Sequence, residues 1–174
     1  MPVTKRWAAR SQLETAIALW FSHGDVVSIH TLAVAANDCY HAIGEHEGKQ
    51  SAFWTWVASQ PEGFKKRLFE AQNFFKHGLN NLKGTVRYDP VHAEILLFDS
   101  ILIHNAIYGG PTSLMSAFVV LFTRRNPIAR FLDPVPFSES IPVDVLRDLE
   151  QTVERLELFK KIAPFLSPKK LDKR

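Results

Sequence analysis

The chain has 174 residues, of which 46% are hydrophobic and 22% charged, with a formal net charge of +3. That is the size of one domain and the composition of an ordinary globular one. A single cysteine, Cys39, excludes an internal disulfide and a cysteine zinc cluster.

The longest apolar stretches, around Ile101 and Phe118, are broken by Asp99, His104 and Arg124 well short of the ~20 residues a membrane span needs. Lys5, Arg6 and Arg10 give residues 1–10 a charge of +3, and residues 169–174 carry +3 as well. The interval between them, 11–168, is therefore −3 and is read as one helical domain between two basic, solvated tails. No apolar run follows the first charges as it would in a signal peptide, so the expected compartment is the cytoplasm, with no membrane partner.

Ser11 and Glu14 form a capping box, and Leu13, Ile17 and Trp20 follow at helical spacing, which predicts a first helix over 11–21 ended by His23-Gly24. A second helix is predicted from Val26 to Gly44, with Ile29, Leu32, Ala33, Ala36, Cys39, Tyr40 and Ile43 on one apolar arc. Residues 49–58, with Phe53, Trp54 and Trp56, read as a connection holding one helical turn whose aromatics cover the core. Ser59-Gln60-Pro61-Glu62 reads as the start of a third helix, which carries Phe64, Leu68, Ala71 and Phe75 on one side and ends at Gly78. After a polar loop, Asp89-Pro90 starts a fourth helix that Gly109-Gly110 ends. It is apolar nearly all round and should be the central one. A fifth runs from Thr112 to Arg125. Beyond a proline-studded stretch, Leu146, Leu149, Val153 and Leu156 place a last helix ending near Ala163. Strand-period alternation is confined to a short extended piece near 85–88. The expectation is an all-α, single-domain bundle of five to six helices.

Several polar residues on these helices are candidates for chemistry. His30, Asn37, His41, Glu45 and Asp38 fall within about 100° of one another on the second helix, opposite its apolar arc. No Glu-x-x-His pair faces them, so the stripe reads as solvated or partner-facing and no metal is expected. Asp99, on an apolar helix, needs a partner, and His92 is the nearest by sequence. His104 lies four residues from Ser100, a spacing that allows a hydrogen-bonded pair inside the bundle. On the third helix Lys66, Glu70, Asn73 and His77 lie opposite the Phe64–Phe75 stripe. His77 is then either an exposed histidine at a helix C-terminus or a site residue.

The stretch QNFFKHG, residues 72–78, resembles the signature of HEPN domains, helical domains many of which are metal-independent endoribonucleases. Asn73 and His77 match the asparagine and histidine of that signature, while Gln72 stands where its arginine should be. The wider pattern of VVSIHTLAVAA, NFFKHG and EILLFDSILI also resembles a group of bacterial proteins of this size. The resemblance implies a homodimer with the motif at the shared interface, RNA or a nucleotide as ligand, and no cofactor. His77 and Asn73 would be its catalytic pair, with Gln72, Lys76, His30, Asn37 and His41 lining the ligand site. RNA cleavage without a metal needs a base for the 2′-hydroxyl and a cation for the phosphate, and a neutral glutamine lacks the charge and fork of arginine. The leading expectation is therefore a binding module with lost or reduced nuclease activity. An active ribonuclease using His77, and a structural interaction module with an unspecified protein partner, are the alternatives.

Overall fold

A computed structural model describes residues 2–61, 63–76, 83–126, 144, 155–162 and 164. Among the described residues five helices have thirteen residues or more: α1 (Lys5–Phe21), α2 (Val26–His46), α4 (Phe64–Lys76), α5 (Val91–Tyr108) and α6 (Ser113–Arg125). Two are short, α3 (Ala52–Ala58) and α7 (Arg155–Ile162). No strand occurs among the described residues, and 85–88 have no regular structure. The protein is an all-α bundle.

α2 lies between α1 and α5 and makes the most extensive contacts with both. α6 closes the other side of α1 and α5, α4 rests on α2 and α3, and α7 touches α1 and α6. The core runs through this stack from Leu13, Ile17 and Trp20 of α1 to Phe118 and Phe122 of α6. As its composition predicts, α5 is buried on nearly every side, and Leu96, Leu97, Phe98, Ile101 and Ile103 are each at most 1% exposed. Phe98 packs on Phe122 with ring centroids 4.8 Å apart, and Trp20 meets the edge of Phe118 at 4.9 Å. Gly44 is required where α2 ends. A Cβ there would stand 2.6 Å from the Lys49 carbonyl oxygen and 3.2 Å from Ile103.

Three element boundaries differ from the sequence reading. α1 begins at Lys5, because the Thr4 side chain accepts from the Trp7 amide and caps the helix about two turns before Ser11. Residues 5–10 are thus helix instead of tail: Ala9 is fully buried, Arg6 pairs with Glu47, and Arg10 reaches Glu14 at 3.2 Å. The aromatic connection is the two-turn helix α3, capped by Ser51, and Ser59 ends α3 instead of starting α4. The ends of α2, α5 and α6 follow their local chemistry, with Asp25 and Thr112 as side-chain caps and Gly109 in the left-handed conformation at φ 73°. His77, Gly78 and most of the last predicted helix lie outside the described residues, as does the C-terminal tail.

Candidate functional site

The polar stripe of α2 does not face solvent as a unit. With α1 on one flank and α5 on the other, part of it is driven into the core. His30 is 0% and Asn37 1% exposed, while Asp38 and Glu45 remain exposed and His41 is in between. The bundle has used Asn37 and His41 to solve the problem posed by Asp99. That carboxylate is fully buried, and Oδ2 accepts hydrogen bonds from Asn37 Nδ2 at 2.7 Å and His41 Nε2 at 2.6 Å. Oδ1 accepts from the Ser51 hydroxyl, which also takes the Phe53 amide at 3.0 Å and so caps α3. Asp99 is paired with α2 and the α3 cap, and His92, its expected partner, makes no bond to it.

The Asp, His and Ser of this network do not form a hydrolytic triad. In a triad the imidazole stands between nucleophile and carboxylate and removes the nucleophile's proton. Here the carboxylate stands in the middle, and serine and histidine bind its two oxygens separately. The arrangement ties α2, α3 and α5 together and fixes the His41 ring. Because an ionised carboxylate only accepts, Nε2 carries the hydrogen and Nδ1 is the atom left for another partner. The His41 side chain is 24% exposed and lies against Trp54 at 4.9 Å. Trp54 in turn packs on Phe69 at 5.6 Å and holds the Lys65 ammonium 5.3 Å from its ring centre.

His30 and His104 occupy different surroundings. His30 meets Phe75 at 5.6 Å and Tyr88 at 5.2 Å edge to face, and neither ring nitrogen has a hydrogen-bond partner among the described residues. Burial, reinforced by His92, lowers its pKa to about 4. His104 pairs through Nδ1 with the Tyr40 hydroxyl at 2.9 Å, not with Ser100, whose hydroxyl donates to the Leu96 carbonyl instead. Burial is again the main cause, and Arg10 the second, of a pKa near 4. Both imidazoles are therefore neutral in the folded protein near neutral pH.

On α4, Asn73 and Lys76 are exposed and Gln72 is partly buried. Lys76 reaches Asp38 of α2 at 3.7 Å, a solvent-exposed pair. Lys65 and Lys66 are exposed as well, and Phe74 is 37% exposed. Of the residues anticipated for a ligand site, the fold thus brings Asn73, Lys76 and His41 to the surface and withdraws His30 and Asn37. Asn37 serves Asp99. Sequence reasoning missed Ser51, Trp54 and Lys65. A cap signal at Ser51 was visible, but its link to Asp99 spans 48 residues and is a product of packing. Among the described residues no three of His, Cys, Asp and Glu converge as metal ligands, and no helix is long and apolar enough to cross a membrane. No family model, curated protein or solved structure matches the chain.

Proposed function

We propose that this chain is a HEPN-like helical module that binds RNA or a nucleotide along α4, acts as a homodimer, and has lost or reduced nuclease activity. The observation that carries the reading is the charge of α4. Lys65, Lys66, Arg67 and Lys76 stand against Glu70 alone, a net +3 on thirteen residues, whereas the rest of residues 1–168, with the basic start of α1 included, sums to −3. A basic helix on an acidic body concentrates the electrostatic footprint of a polyanion ligand in one place. Trp54 offers an aromatic surface beside Lys65, and Asn73 offers donors and an acceptor, which suits a single strand whose bases stack while its phosphates meet lysines. His41 and the Lys65–Trp54 pair extend the same face toward α3.

Gln72 in the arginine position supports reduced cleavage, because a neutral amide supplies no cation for the phosphate. Binding is tested by the anisotropy of a labelled single-stranded RNA. The triple variant Lys65→Ala, Lys66→Ala, Lys76→Ala should weaken binding by more than about tenfold at low salt while keeping its helical signal. Equal affinity of the variant and the parent would dismiss α4 as the ligand face. The homodimer is checked by sedimentation equilibrium, with twice the chain mass expected and the single-chain mass counting against a shared site.

A further inference from the structure

Where α2, α3 and α4 meet, the two ring nitrogens of His41 have different fates. Nε2 lies 2.6 Å from Asp99 Oδ2. That carboxylate is fully buried and is also held by Asn37 Nδ2 at 2.7 Å and by the Ser51 hydroxyl. The ring is thus anchored to an anion on α5. Nδ1 is left over. It has no hydrogen-bond partner among the described residues, and it is not sealed from solvent.

Charged groups of two helices surround this ring. Trp54 of α3 touches both the imidazole, at 4.9 Å between ring centres, and the Lys65 ammonium of α4, at 5.3 Å from its ring centre. One turn before His41 on α2, Asp38 meets Lys76 of α4 at 3.7 Å. One turn after it, Glu45 is exposed. Lys65 and Lys76 draw a phosphate towards the imidazole, and Asp38 and Glu45 oppose it. Asp38 is already answered by Lys76.

The protonation state of His41 then decides what a phosphate meets. In the neutral ring Nε2 keeps the hydrogen that Asp99 accepts, so Nδ1 presents a lone pair. A phosphate oxygen is an acceptor too, and the uncompensated Asp99 charge repels it. Protonation reverses both effects. Nδ1 gains a hydrogen, the imidazolium cancels the carboxylate, and a charge-assisted donor becomes reachable from solvent. We propose that His41 is a proton-controlled contact for a phosphate of the ligand, silent when neutral and engaged when protonated. The inference rests on the reading of α4 as the polyanion face, and it makes affinity rise as the pH falls.

The test uses the full chain and an oligouridylate without terminal phosphates, carrying a dye whose emission does not respond to pH. Anisotropy is followed at fixed salt between about pH 7.5 and 6, a range in which histidine changes charge and this probe does not. His30 and His104, which burial holds at about 4, stay neutral throughout. Affinity should rise by about fivefold or more in the parent. His41→Gln, whose amide can still donate to Asp99, should lose that rise. Linkage supplies a reading that needs no substitution and so decides even where His41→Gln fails to fold. The bound strand should raise the titration midpoint of the His41 ring, followed by its nitrogen-15 resonances, by about 0.7 of a pH unit or more. Binding that is equal at both pH values, a rise that survives in His41→Gln, or a midpoint unmoved by the strand would each overturn the inference and leave the α4 face standing. A parent that binds the strand at neither pH would overturn the α4 reading and this inference with it.

Discussion

Asp99→Ala should be the most damaging single substitution in the bundle, costing about 3–5 kcal/mol in urea unfolding. Removing the carboxylate leaves the Ser51 hydroxyl and His41 Nε2 without their acceptor, and Asn37 with only its longer contacts to Ser100 and Leu96 at 3.2 and 3.4 Å. Each orphaned buried donor costs about 1–3 kcal/mol, and the void left by the side chain adds to that. Asp99→Asn should be far milder, about 1–2 kcal/mol. Its amide nitrogen can face Ser51, whose oxygen accepts, while its carbonyl still serves Asn37 and His41. The contrast between the two variants separates a hydrogen-bonded tie from mere filling of space. If Asp99→Ala unfolds at the same urea concentration as the parent, the network does not hold α2, α3 and α5 together.

The second large effect is acid lability. His30 and His104 titrate near 4 in the folded protein against 6.5 as free groups. The unfolded chain therefore binds protons that the folded chain refuses. The stabilisation is fully present above about pH 6.5 and is lost as the pH falls towards 4. Each imidazole contributes up to about 3 kcal/mol at that limit, and together they rival the whole stability of a marginal domain. The melting temperature should fall steeply between pH 6.5 and 4. His30→Leu should flatten that fall by about half and raise stability at neutral pH, since it replaces an unpaired imidazole between Phe75 and Tyr88 by an apolar group. An acid limb unchanged in His30→Leu would show that carboxylates, not this histidine, govern it.

The helices were readable wherever local chemistry decides them. The αL glycine at Gly109 and the all-round apolar face of α5 needed no tertiary information, and the same holds for the Thr112 cap. Reading failed where a signal had two local meanings. Ser59 is a helix stop although it resembles a start, and Ser11 resembles a cap although Thr4 had already begun the helix. The α2 stripe failed for another reason. A helical wheel gives angles, not neighbours, and α2 has a helix on each side, so His30 and Asn37 were enclosed despite lying opposite the apolar arc. That Asp99 needs a partner is legible from its place on an apolar helix, but its donors come from 48 to 62 residues away. The α4 charge was present in KKR and Lys76 all along. Counting charge over the whole domain averaged it away.

The central claim, that the basic face of α4 engages nucleic acid, is tested most directly by the salt dependence of binding. Each phosphate neutralised on a single strand contributes about −0.7 to the slope of log affinity against log salt. Between roughly 50 and 200 mM salt, the variant lacking Lys65, Lys66 and Lys76 should show a slope shallower by about 2 than the parent's. Trimming residues 169–174 should leave the slope nearly unchanged. A slope that is unaltered in the α4 variant, or that collapses on trimming the tail, would contradict the account.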